Sequence, residues 1–194
     1  MTSLMLQETR EAPARVAELL GHDAPSYGAL AESLASRPPA FAATIARGSS
    51  DHAATYAASL LGVAAGLATA SIPPSLVTRY GVALDLRRAL VLAISQSGAS
   101  PDIVATMRAA TTSGACSVAI VNAPDAPLAS VAGHVLAQRA GPERSVAATK
   151  SFISSLACVA RLIAHWRSDA ALASALERLP ERLDAALRCD WSAA

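Results

Sequence analysis

The sequence predicts an α/β fold: a doubly wound, five-stranded parallel sheet with helices on both faces and extra helices at the amino end. Two observations carry this. Short apolar runs at residues 41–46, 67–72, 89–95, 117–122 and 134–138 alternate with longer amphipathic segments, which is the pattern of βαβ units. With 194 residues, 53% of them hydrophobic, the chain is also long enough to fill a core, since domains of roughly 150 residues hide about 70% of their unfolded surface. Strand twist makes the crossovers of such a sheet right-handed.

The elements follow in order. Residues 4–20 are amphipathic and helical apart from Pro13, with Gly21 as a stop signal. Residues 27–36 form a second short helix closed by Pro38 and Pro39, so residues 1–40 read as a packing arm that could cross to another subunit. Strands one to five occupy the apolar runs, with helices between most of them, and residues 41–168 form the main domain. Residues 53–78 carry no charge, but Ala, Gly, Ser and Thr outnumber Leu and Ile, and Pro73-Pro74 interrupts the run. That composition fits a buried helix and a buried strand better than a membrane span. Gly62 and Gly66 would let the helix lie close on the sheet. After strand five, residues 140–144 form a loop, a helix starts at Ser145 or Thr149 and runs to about Trp166, and a last helix covers residues 170–188. Residues 169–194 then read as a terminal helix leading into a linker.

Composition excludes several partners. Net charge is +1, aromatics are 4%, and no stretch gathers Lys or Arg on one face, so the footprint of a nucleic-acid binder is missing. Lys150 is the only lysine beside fifteen arginines, which reflects biased codon usage most simply. Cys116, Cys158 and Cys189 are odd in number, far apart and without a zinc spacing, so no metal site or cofactor is expected and a reduced, cytoplasmic setting fits. The first eight residues lack the basic and apolar regions of a secretory signal.

In open parallel sheets the ligand lies at the carboxyl ends of the strands, so the loops after strands one and three matter most. The third run feeds into Ser95-Gln96-Ser97-Gly98-Ala99-Ser100, and Pro101-Asp102 opens a helix with Ser100 as its N-cap. This is an anion site in outline. A helix amino terminus has unpaired N–H groups and the positive end of the macrodipole, Gly98 permits a tight bend, and serine hydroxyls donate to phosphate oxygens. Hydrogen bonds to a charged oxygen are each worth about 1.5–3 kcal/mol, so no Lys or Arg is needed. A single Ser/Gly turn is as often a mere capped turn. The second loop, Gly48-Ser49-Ser50 after strand one, shifts the balance, because two hydroxyl-rich loops at one sheet edge make a polar pocket. Asp102 stabilises its helix dipole with the side chain directed away, and Asp51-His52 reads as a helix-start acid beside a solvated histidine. No GxGxxG, GxxxxGK[ST] or GxSxG motif is present, so dinucleotide, P-loop and serine-hydrolase chemistry find no support.

Three motifs in order, Gly48-Ser49-Ser50, residues 95–102 and residues 140–152, resemble the sugar isomerase (SIS) family. Within it they are most similar to the isomerase half of glucosamine-fructose-6-phosphate aminotransferases and to glucosamine-6-phosphate deaminases. The resemblance spans most of the chain and implies flavodoxin-like strand order and binding of a phosphorylated hexose or aminohexose. It implies that Ser95, Gln96, Ser97 and Ser100 contact the phosphate, that Gly48, Ser49 and Ser50 contribute the first loop, and that Val146, Ala147 and Ala148 meet the sugar chain through backbone groups. Ala99-Ser100-Pro101 stands where the aminotransferases have an acidic residue, threonine and alanine, and Ala148 replaces a serine, which leans toward the deaminase-like branch. Position 2 is Thr2 rather than the cysteine of a glutaminase domain. The glutamate, histidine and lysine that move protons in the family lie in a second SIS domain, so no catalytic residue is assigned to this chain. Chemistry at C1 and C2 needs ring opening and a base shuttling a proton; this segment would supply positioning. The resemblance further implies a homodimer. The alternatives are a noncatalytic phosphosugar sensor, as in regulators that pair this fold with a DNA-binding module, and an oligomerisation domain with a decayed site. Residues 4–36 are too short and too uncharged for a helix-turn-helix.

Overall fold

Seven consecutive buried residues, Ala89–Ser95, form β3, and their alternation builds the two sides of the molecule. Leu90, Leu92 and Ile94 enter one apolar cluster while Ala89, Val91 and Ala93 enter another, as a strand with side-chain period two and both faces covered requires. The computed structural model describes residues 3–191. Among them, β1 (Phe41–Ile45), β2 (Thr69–Ser71), β3, β4 (Cys116–Val121) and β5 (His134–Ala137) form one parallel sheet in the order β2-β1-β3-β4-β5. This is the doubly wound, flavodoxin-like order expected from the sequence. The order reverses direction between β1 and β3, which makes the crevice above that pair the switch point.

One face carries α3 (Ser49–Ala65) and α6 (Lys150–Arg167), with α1 (Leu4–Gly21) and α2 (Ala24–Ser36) packed on α6. Val16, Leu19, Tyr27, Leu30 and Leu34 are buried in the same cluster as Leu90 and Ile120, so core packing draws no line at residue 40. Because α6 is covered by neighbouring helices, most of its residues are buried. The other face is closed by α5 (Pro101–Thr112), whose Ile103, Met107 and Ala110 meet Val91, Ala93 and Val121. Apolar burial of this kind contributes about 25 cal/mol per Å² and drives the assembly of both layers.

Several boundaries differ from the sequence reading for local reasons. Helix α2 begins at Ala24, because Asp23 adopts a left-handed conformation and Pro25 occupies the first turn, where its missing N–H costs nothing. Gly66 ends α3 as a left-handed C-cap, and Gly62, inside the last turn, has only the Leu67 carbonyl near it, so neither glycine seats the helix on the sheet. Strand β2 is a three-residue edge strand, largely exposed rather than buried. A short helix, α4 (Ser75–Thr78), follows Pro73-Pro74. Residues 170–188 divide into α7 (Ala170–Glu177) and α8 (Leu179–Leu187), because Pro180 suits a helix start and not an interior. Among the described residues no helix is long and apolar enough to cross a membrane; Thr2 and residues 192–194 lie outside them.

Candidate functional site

Two helix amino termini converge on the β1/β3 crevice. Helix α3 starts at Ser49 with Gly48 as N-cap at φ 57°, and α5 starts at Pro101 with Ser100 as N-cap. Ser100 is the N-cap, as expected, but makes no side-chain capping bond, so its hydroxyl is not consumed by its own helix. Helices of 17 and 12 residues each present first-turn N–H groups and a partial positive charge to the same edge. Asp102, in the first turn of α5, takes the Arg47 guanidinium at 3.1 Å. The acid therefore ties the first loop to the third instead of standing alone on the dipole. Asp51 and His52 are exposed.

The loop after β3 is shaped by its own hydroxyls. The Gly98 amide donates to Ser95 Oγ at 3.1 Å and the Ala99 amide donates to Ser97 Oγ at 3.3 Å. Ser95 is buried, Gln96 and Ser100 are half-buried, and Ser97 faces solvent. Gly98 cannot be replaced without strain: its φ is +61°, and a Cβ there would meet the Ala126 Cβ at 2.7 Å and the Val121 Cγ1 at 3.2 Å. Its carbonyl accepts from the Leu128 amide at 2.9 Å, which fixes the loop against residues 126–128.

Asn122 was not singled out by sequence, yet it joins three segments. Its amide donates to the Gln96 carbonyl at 3.3 Å, its side-chain amide donates to the Gly141 carbonyl at 2.7 Å, and its side-chain carbonyl accepts from the Ala140 amide at 2.8 Å. The loop after β5 is thereby hung at the same sheet edge as the serine loops. Val146 and Ala147 in that loop are exposed and Ala148 is half-buried. The Ser145 Oγ also lies 2.9 Å from the Ala147 carbonyl, although its single hydroxyl proton goes to Glu8. The loop is held from within by Glu143, whose carboxylate accepts from the Thr149 amide at 2.9 Å, the Thr149 hydroxyl at 3.1 Å, the Ser151 amide at 3.2 Å and the Ser151 hydroxyl.

From outside, the loop is held by α1. Glu8, 3% exposed, accepts from the Arg144 amide at 2.6 Å, the Ser145 amide at 3.0 Å and the Ser145 hydroxyl. These bonds, the Ser145 hydroxyl foremost, hold the Glu8 carboxyl below the ordinary carboxylate range. Lys150, 2% exposed, pairs with Glu11 at 2.7 Å, and the Arg15 guanidinium lies against Gly141. The lone lysine is thus a buried structural cation, more than the codon bias suggested. A cavity of about 470 Å³ beside this loop is lined by Arg15, Asp23, Asn122, Arg139 and Gly141 among others. Within it Asp23 and Arg139, both in left-handed backbone conformations, form a bidentate pair at 2.5 and 2.8 Å. A second cavity of about 420 Å³, with Arg37, Arg88, Cys116 and His134 in its lining, lies at the opposite edge, where the strands begin.

The structure therefore brings Gly48, Ser49 and Ser50 to the strand end next to Ser95, Gln96, Ser97 and Ser100. It places Val146, Ala147 and Ala148 on a separate, anchored loop at the same edge. Two helix amino termini with hydroxyl-bearing loops at one sheet edge are chemically suited to an anion.

The arrangement has known relatives. Residues 42–164 match the SIS domain family. Glutamine–fructose-6-phosphate aminotransferases of Treponema pallidum and Methanothermobacter thermautotrophicus are each 38% identical, over 122 and 137 residues, covering 58% and 69% of this chain but 19% and 23% of theirs. The chain thus spans about a fifth of the length of these curated relatives. A crystal structure from Silicibacter pomeroyi DSS-3, provisionally named a phosphosugar isomerase, superposes with a TM-score of 0.95 at 47% identity, covering 98% of this chain and 58% of that one. The Vibrio vulnificus NanR protein complexed with ManNAc-6P shares the fold, with a TM-score of 0.71 at 19% identity, covering 95% of this chain and 69% of that one. With the family matched over most of its length and the same parallel sheet beneath it, this chain belongs to the SIS domain family.

Proposed function

We infer that this chain binds the phosphate of a phosphorylated hexose or aminohexose at the β1/β3 crevice. The reading extends to its being the amino-terminal SIS half of an aminosugar-phosphate deaminase or isomerase of the glucosamine-6-phosphate to fructose-6-phosphate class. The observation that carries it is the locked turn at Gly98 between two converging helix amino termini. Ser95, Gln96, Ser97 and Ser100 follow β3, and Gly48, Ser49 and Ser50 follow β1, its directly paired neighbour, which supports a shared site at these strand ends. Val146, Ala147 and Ala148 then present backbone groups to the sugar chain, and residues 169–191 lead toward a second SIS domain.

In this role the segment supplies orientation. Dianion capture by fixed dipoles anchors C6 of the open-chain sugar, and the anchored chain presents C1 and C2 to a base outside these residues. The 47% identity to a chain of which this one covers 58% supports a two-part protein. A cytoplasmic homodimer accords with the aminosugar-phosphate reading.

The test is turnover. The full reading frame, incubated with glucosamine-6-phosphate, should release ammonia and fructose-6-phosphate, while the 194-residue chain binds the sugar phosphate without turnover. Binding without turnover in the full protein would replace the enzyme reading with that of a sensor. Absence of binding in both would overturn the site.

A further inference from the structure

Helix α1 does more than pack. Glu8, Glu11 and Arg15 lie on one face of it at spacings of three and four residues, which is the neighbour spacing of an α-helix. All three engage the segment 141–151: Glu8 takes the Arg144 and Ser145 amides, Glu11 takes Lys150, and Arg15 covers Gly141. Two exposed residues, Val146 and Ala147, follow directly after the Glu8 contacts. Such an exposed stretch between fixed ends has no hydrophobic reason of its own to hold one shape. The carboxylate of Glu8 supplies that reason, because a buried anion that satisfies two backbone amides and a hydroxyl over-determines the backbone at Arg144 and Ser145.

We propose that Glu8 is a positioning residue of the ligand site. It sets the conformation of residues 144–148 from the amino-terminal helix, so that their backbone groups meet the sugar portion of the ligand, while the Ser95–Ser100 turn takes the phosphate without it. This rests on the phosphosugar reading above and assigns the recognition of sugar, as distinct from phosphate, to a residue 136 positions away from its loop. A pre-set loop binds more tightly because the ordering cost is met before the ligand arrives. Glutamine at position 8 removes the charge and replaces one acceptor oxygen with an amide that opposes the loop's donors, so the loop is released while the serine turn is untouched.

The experiment is calorimetric titration of the wild-type chain and of Glu8→Gln with two probes, glucosamine-6-phosphate and inorganic phosphate. Glu8→Gln should weaken glucosamine-6-phosphate about tenfold or more through the lost pre-organisation, and leave inorganic phosphate affinity within about twofold, since the serine turn contributes that part alone. If Glu8→Gln does not fold, Ser145→Ala, which removes one donor and leaves the helix intact, is read in the same way with a smaller loss. Unchanged affinity for both probes would overturn the proposal, as would equal weakening of both in a folded variant, which is what a merely structural residue would give. A wild-type chain that binds inorganic phosphate but gains nothing from the sugar sinks the proposal and spares the phosphate turn. A wild-type chain that binds neither sinks the phosphosugar reading itself.

Discussion

Replacing Gly98 by alanine puts a number on how tightly the Ser95–Ser100 turn is locked. The φ of +61° costs an L-residue about 1–2 kcal/mol in the left-handed region. The added Cβ also stands 2.7 Å from the Ala126 Cβ and 3.2 Å from the Val121 Cγ1, an overpacking worth about 1–3 kcal/mol. Together these give roughly 2–5 kcal/mol, against a total stability of about 5–15 kcal/mol for a domain. Gly66 is the matched control: its φ is +66° but nothing lies within 4 Å of a Cβ, so Gly66→Ala should cost only the backbone part, about 1–2 kcal/mol. Urea unfolding of the three proteins, read at a common m-value, measures both. At about 2–4 °C per kcal/mol for a chain of this size, Gly98→Ala should also lower Tm by roughly 4–20 °C. Equal losses for the two variants, or less than about 0.5 kcal/mol for Gly98→Ala, would refute the close approach of this turn to residues 121–128.

Other consequences follow from the same contacts. Ser97→Ala removes an exposed hydroxyl from the turn and should weaken phosphosugar binding by about 1.5–3 kcal/mol, roughly 10- to 150-fold, while losing the Ala99 amide's acceptor lowers urea stability by no more than about 1 kcal/mol. Because the folded-state value of Glu8 lies below its ordinary 4.5, its contribution is fully present above that pH and fades as pH falls through the lower folded value. Glu8→Gln should therefore be destabilised at pH 7 and converge on wild type in acid; a deficit independent of pH would contradict the charge-based account. Asp23, lowered chiefly by its bond to Arg139, adds to the same acid limb, so Asp23→Asn should flatten it in the same direction. Burial pushes the Cys158 thiol up to about 12 and raises Cys116, whereas Cys189 is exposed. A thiol reagent at pH 8 should therefore modify Cys189 first and Cys158 only on unfolding, as mass spectrometry of timed samples would report.

The sheet was legible because each strand is a short apolar run that ends in a polar turn, and parallel order follows once helices must return the chain. The serine loops were legible for a related reason: a hydroxyl-rich turn between a strand and a helix start is a local pattern. What escaped was carried by tertiary contact. Glu8 and Glu11 look like ordinary solvent-facing charges on an amphipathic helix, and their partners lie 136 to 139 residues away. The one available signal was Lys150, a single lysine in an arginine-rich chain, which proves to be buried against Glu11. Asn122 gave no signal, since asparagine is one of the usual turn residues after a strand. The break between α7 and α8 was missed although Pro180 marks it, while the edge position of β2 depended on a neighbour that composition cannot name.

Capture of a sugar through its phosphate by the Ser95–Ser100 turn is the centre of this account, and calorimetric titration of the chain with glucosamine-6-phosphate, unphosphorylated glucosamine and Ser97→Ala tests it most directly. The account predicts saturable binding of the phosphorylated sugar alone, weakened about tenfold or more in the variant. Equal binding of glucosamine, or a Ser97→Ala protein that binds as tightly as wild type, would contradict it.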